Sequence, residues 1–182
     1  ATPSSESELP REITREMDEI QDQVIELRGL SSSETVARAL LTPDQLREHV
    51  VNDFLKDYSK EEAEEDAIIL SVFGLLDSTF DLQGFYIELF SEQIAGFYDD
   101  EKDEMFVVQG EGFQGPERLT YAHEYTHALQ DQNYGSPEGL GCNDDAWEED
   151  SEGCAAFQAL IEGDATFLEL EWFSSFASPQ DM

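Results

Sequence analysis

Two histidines four residues apart, with an acid beside the first, constrain this chain more than any other feature. The stretch His123-Glu124-Tyr125-Thr126-His127 reads His-Glu-x-x-His. On an α-helix positions i and i+4 lie on one face, so both imidazoles reach the same metal ion if the segment is helical. Glu124, one step round the helix, then reaches a water on that metal and serves as general base. The chain has three histidines and two of them are here, which makes an accidental match rare. The competing reading is a solvated helix that happens to carry them.

The flanks ask for a helix. Gly115-Pro116-Glu117 opens it, with Pro in the first turn and an acid near the positive dipole end. Leu119, Ala122, Thr126 and Leu129 form one apolar stripe, and Gly135 and Pro137 stop the segment. His123, His127 and Gln130 form the neighbouring stripe, at the edge of the buried face.

Two His leave a zinc site incomplete, because catalytic sites commonly use three protein ligands plus water. A second long helix is expected from about Ser151 to Phe176, with Phe157, Leu160, Ile161, Ala165, Leu168, Trp172 and Phe176 as its buried stripe. Glu162 sits at the edge of that stripe, where a carboxylate is costly to bury unless paired or metal-bound. Gly163 and Ala165 beside it would allow two helices to approach closely. Glu162 is therefore the preferred third ligand, with Glu169, Glu152 and His49 as alternatives.

Composition bounds the class. With 182 residues there is chain enough for one domain and a small appendage. The 43 acids against 9 bases, formally −34, exclude nucleic acid and anionic membrane surfaces as partners. Hydrophobic residues at 40% and aromatics at 11% argue against disorder, and no acid cluster follows the EF-hand pattern. The acids are spread along the whole chain and Lys is reduced to Lys56, Lys60 and Lys102, which points to high-salt adaptation. No transmembrane run is present, and the start at Ala1-Thr2-Pro3-Ser4 has the form of a trimmed terminus with a polar tether. A disulfide between Cys142 and Cys154 would remove about 3 kcal/mol of unfolded-state entropy and imply an oxidising compartment; two free thiols are the other reading. The expected location is extracellular or on the cell surface.

Upstream of the metal helix, Leu9, Ile13, Met17, Ile20, Val24 and Leu27 mark an amphipathic helix ended by Gly29. This sets a division into residues 1–41, tether and helix, and 42–182, the main domain. Thr42-Pro43-Asp44 starts a second helix, Ser59 with Glu62 caps a third running to about Leu76, and Phe80 to Ile94 has helical spacing. Asn143-Asp144-Asp145 can cap a short turn around Trp147. Gly96-Phe97-Tyr98 and Met105-Phe106-Val107-Val108 read as a hairpin about an acidic turn. Its edge can pair with an extended peptide, or it can simply cover the helices. His49, alone between Glu48 and Val50, reads as structural or exposed.

His-Glu-x-x-His on one helix with a downstream Glu on another resembles the gluzincin, thermolysin-like metallopeptidases. Glu162-Gly163-Asp164-Ala165 is similar to the Glu-Gly-aromatic-Ala third-ligand motif of gluzincin aminopeptidases. Gln93 to Asp99, His123 to Gln132 and Leu160 to Thr166 together resemble secreted bacterial and archaeal proteins of this type. The resemblance implies an α+β, predominantly helical zincin-like domain with an active-site helix, a third-ligand helix and a small hairpin. It implies Zn²⁺ on His123, His127 and Glu162, Glu124 as base, and a peptide or protein substrate. Two departures stand out: the spacing from His127 to Glu162 is longer than in thermolysin, and no Asp lies four residues after Glu162 to orient a histidine. Asp164 or Asp131 is the expected substitute. Tyr134, Tyr98, Tyr121 and His49 are candidates for stabilising the oxyanion. The rival readings are a zinc-stabilised binding module that cuts nothing, and an inactive precursor with its N-terminal helices across the cleft.

The charge pattern carries its own test. Below roughly molar salt the carboxylate repulsion is unscreened, so the melting temperature should fall on dilution from concentrated KCl. A melting temperature indifferent to KCl would reject the high-salt reading.

Overall fold

A computed structural model of the chain describes residues 9–56, 58–100, 102–109, 112–136, 140–142, 146 and 149–178. The expected tether up to residue 8, Pro137 and the turn around Trp147 lie outside the described residues. Among those described, the protein is α+β and mostly helical. In chain order the elements are α1 (Arg11–Arg28), β1 (Ala37–Leu41), α2 (Pro43–His49), α3 (Lys60–Val72), α4 (Leu82–Gln93), β2 (Gly96–Asp99), β3 (Glu104–Val108), α5 (Gly115–Tyr134) and α6 (Ser151–Phe176). No helix among them is long and apolar enough to cross a membrane. The chain divides into two compact units, Leu41–Ala95 on its own, and Ala1–Leu40 together with Gly96–Met182.

The Leu41–Ala95 unit follows its caps. Thr42 accepts from the Gln45 N–H while Gln45 reaches back to the Thr42 N–H, and Ser59 and Glu62 do the same for α3. A π-helical turn, Val50–Phe54, continues α2. Helix α3 stops at Val72, short of Leu76, because Gly74 turns left-handed at φ 72°. Ala63, Ala67 and Leu82 form a small core with Tyr58 and Tyr86 around it.

In the other unit, α1, α5 and α6 pack around a core closed by the sheet. Met17, Ile20 and Val24 of α1 are fully buried, in the stripe that the spacing anticipated. Each contributes about 1.5–3 kcal/mol by leaving water. Gly29 closes the helix in the left-handed region at φ 68°. Polar ties add register: Trp172 Nε1 donates to Gln23 Oε1 at 2.8 Å, and Gln21 Nε2 donates to the Tyr121 hydroxyl at 2.7 Å. Helix α1 is thus part of the core of this unit.

Strands β2 and β3 pair antiparallel, with Phe97 opposite Phe106 and Tyr98 opposite Met105. Strand β1 joins on the far side of β3, giving the order β1-β3-β2 and leaving β2 at an edge. Sequence reading missed β1. Its five residues, Ala-Arg-Ala-Leu-Leu, have no alternation to betray a strand, and tertiary pairing supplies what propensity lacks.

Two expectations about α6 need correction. Leu160 is 68% exposed rather than buried, and Cys154 takes an inward position instead. Gly163 faces open space, so it plays no part in helix approach; Ala165, fully buried, does. Cys142 and Cys154 are unbonded thiols, with the Cys154 thiol pushed up to about 11 chiefly by its hydrogen bond with Cys142.

Gly96 shows how tightly β2 lies against α5. A Cβ there would stand 2.7 Å from Thr120 Cγ2 and 2.8 Å from the Phe106 carbonyl oxygen. Gly96→Ala is therefore expected to destabilise the fold by about 1–3 kcal/mol, read as a lower denaturant midpoint at unchanged slope. Adding Thr120→Ser removes Cγ2 and should recover only part of the loss, because the backbone oxygen remains. An unchanged midpoint in Gly96→Ala would contradict this packing.

Candidate metal centre

Helix α5 presents His123 and His127 one turn apart on the face that the spacing required. Their Nε2 atoms lie 3.2 Å from each other. Helix α6 brings Glu162 opposite them, with Oε2 at 3.3 Å from His123 Nε2 and 3.4 Å from His127 Nε2. A zinc ion bound at about 2.0–2.1 Å in tetrahedral geometry sets neighbouring ligand atoms roughly 3.3 Å apart. All three separations match that edge length. The donor chemistry fits as well. His127 is neutral by preference, since burial lowers its proton affinity against the opposing pull of the Gln130 hydrogen bond. The ring side chains are 18% and 15% exposed and Glu162 is 46% exposed, so the set is half dry with one open side.

The outer nitrogens of both rings are occupied. His123 Nδ1 lies 3.0 Å from Glu169 Oε2, and His127 Nδ1 lies 2.9 Å from Gln130 Oε1. With each Nδ1 proton given to an oxygen, both Nε2 lone pairs turn toward Glu162. Glu169 is therefore the residue that orients His123, seven positions after Glu162 rather than four. Two turns of helix α6 explain the shift, since residues seven apart share a face. Asp164 does not touch either ring; it holds Gln130, whose Nε2 donates to Asp164 Oδ2 at 2.9 Å. Asp131 instead accepts from the Tyr98 hydroxyl at 2.9 Å.

Glu124 is buried on the same helix and lines the same cavity as the two His. Burial pushes its carboxyl up to about 7, with His123 opposing and Glu162 and Glu169 adding to the rise. The backbone of Tyr98 in β2 works the other way, favouring the ionised carboxylate.

The cavity in front of these groups measures about 590 Å³, within the usual range for a ligand site. Gly96, Phe97 and Tyr98 of β2 line one part of it; Phe157, Leu160 and Ile161 of α6 line another. Helix α1 reaches it only through Arg28. Of the tyrosines considered from sequence, Tyr121 is fully buried outside the cavity, its hydroxyl held by Gln21 and Arg38. The Tyr98 hydroxyl is engaged by Asp131 and Asp103. Tyr134 lines the cavity and is 57% exposed. His49 lies in the Leu41–Ala95 unit, 2.7 Å from Asp53, and Glu152 is an exposed residue in the first turn of α6. Among the described residues, His123, His127 and Glu162 are the group able to hold a metal, their ligand atoms lying within 4.8 Å of one another.

Comparison of the chain with protein-family models, characterised proteins and solved structures gives no match.

The geometry separates two acids that sequence could not. Glu162→Ala removes a donor atom and should abolish tight zinc binding, whereas Glu169→Ala leaves the donors in place and should weaken it about 10–100-fold. Zinc titration against a competing chelator reads both. Full affinity in Glu162→Ala, with loss in Glu169→Ala, would exchange their roles.

Proposed function

We propose that this chain is a zinc-dependent peptide hydrolase on a zincin-like domain of gluzincin type. The observation that carries the reading is the meeting of His123 Nε2, His127 Nε2 and Glu162 Oε2 at tetrahedral spacing, in a cavity that Glu124 also lines. A purely structural metal site has no use for a buried acid beside its ligands. Zinc held there would act as a Lewis acid toward the scissile carbonyl and toward the attacking water.

The chain's own groups supply the rest. Glu124 takes the proton from the attacking water and returns it to the departing amine. It is carried by α5, and the Tyr98 backbone of β2 favours its ionised form. Strand β2, at the sheet edge and along the cavity, is suited to laying an extended peptide across the site by main-chain pairing. Phe157 and Ile161 give the cavity apolar walls that suit a substrate's apolar side chain. The acid excess of the chain suits work in concentrated salt.

Glu124→Gln tests the base. The amide is nearly isosteric and Glu124 is not among the grouped ligands, so zinc and fold should be retained. It cannot accept the proton, so hydrolysis of a mixed peptide library in high salt should drop by about 10²–10⁴-fold. Equal turnover by mutant and wild type would remove Glu124 from the mechanism. A wild type that binds zinc and cuts nothing would favour a binding module or an inactive precursor.

A further inference from the structure

The group facing His127 Nδ1 is an amide, and an amide can be turned either way. If Gln130 presents its oxygen, Nδ1 carries the ring proton and Nε2 is left bare to bind a metal. If it presents its NH₂ group, Nδ1 becomes the acceptor, the proton moves to Nε2, and that nitrogen is lost as a ligand. The decision is made on the far side of the amide. Gln130 Nε2 donates to the Ile161 carbonyl at 3.0 Å and to Asp164 Oδ2 at 2.9 Å. Both partners only accept, so a turned amide would set oxygen against two oxygens. Gln130 is 8% exposed, which leaves little water to relieve that clash. Behind it, Arg28 Nε at the end of α1 donates to the same Asp164 oxygen at 3.1 Å. His123 needs no such arrangement, because the Glu169 carboxylate at its Nδ1 reads the same in either orientation.

We propose that Asp164 and Arg28 are positioning residues for His127. They hold Gln130 in the orientation that fixes the ring proton on Nδ1 and frees Nε2 for zinc. The end of α1 thereby belongs to the metal site without supplying a ligand atom. The inference rests on the zinc reading above, and it deepens that reading by naming what selects the ligating tautomer.

The test compares the wild type with Asp164→Leu, Gln130→Glu and the double variant Gln130→Glu/Asp164→Asn. Circular dichroism checks the fold, chelator competition gives zinc affinity, and the visible spectrum of the cobalt-substituted protein reports the ligand field. Asp164→Leu should lower zinc affinity about 10–100-fold and shift the cobalt bands, since the Ile161 carbonyl alone then orients the amide. Gln130→Glu should also weaken binding, because two carboxylates are forced together. The double variant gives the introduced carboxylate a donor at position 164, and that carboxylate can only accept from His127; the Ile161 carbonyl still opposes it, and the amide introduced at position 164 meets the Arg28 N–H. It should therefore bind zinc more tightly than Gln130→Glu while remaining weaker than wild type. That rescue separates positioning from generic loss of packing. Arg28→Met should move the cobalt bands in the same direction by a smaller amount; unmoved bands would strike Arg28 from the pair. Wild-type affinity and bands in a folded Asp164→Leu would overturn the proposal, as would a double variant no better than Gln130→Glu. A wild-type protein that binds no zinc would overturn the functional reading itself, a result distinct from either.

Discussion

Everything at this site depends on the close side-by-side packing of α5 and α6. Three donor atoms from two helices meet only if the helix backbones come near enough for short side chains to bridge them. Ala122 and Ala128 on α5 and Ala165 on α6 are all fully buried, and these small residues permit the approach. Leu129, Leu168 and Trp172, also buried, then fill the space beyond and fix the rotation of each helix about its axis. With the rotation fixed, His123, His127 and Glu162 fall at the rim of the core. A donor at the rim is dry enough to be oriented and open enough to be reached.

The second constraint is electrostatic. Glu124, Glu162 and Glu169 gather around two imidazoles in a partly buried pocket, and the latter two acids add to the cost of ionising Glu124. Such an arrangement favours a cation at its centre. The chain elsewhere disperses its acids over the surface, where solvent and salt screen them. Here it concentrates them, and Arg28 is the single Arg or Lys lining the cavity among the described residues. Arg28 is spent on Asp164, away from the ligand atoms. The donors are therefore left to face one another.

Rigidity reaches the site from two directions. The sheet delivers Tyr98, whose hydroxyl is tied to Asp131, so β2 is clipped to α5 beside the site. Gly96 lets that strand lie against Thr120 without a side chain between them. Helix α1 enters through Arg28, and its buried stripe anchors it against α5 and α6. A site held by packed helices and a paired strand is more precise than one held by loops.

What the sequence alone determined is local and periodic. Helices α1, α5 and α6, the capping boxes at Thr42 and Ser59, and the hairpin of β2 and β3 were legible because caps, turns and apolar spacing act within a few residues. The pair His123 and His127 was legible for the same reason, since one helix carries both. Only the tertiary structure decided the partners that lie on different elements. It placed Glu169 rather than Asp164 or Asp131 on His123, set Asp164 behind Gln130, buried Cys154 in place of Leu160, and recruited the unpatterned Ala37–Leu41 as a strand. Those outcomes turn on the rotation and separation of packed helices and on strand pairing across more than sixty residues of chain, from Ala37 to Asp103. Neither quantity is written in any short window of residues. Both follow from how the buried side chains of the whole unit fit together.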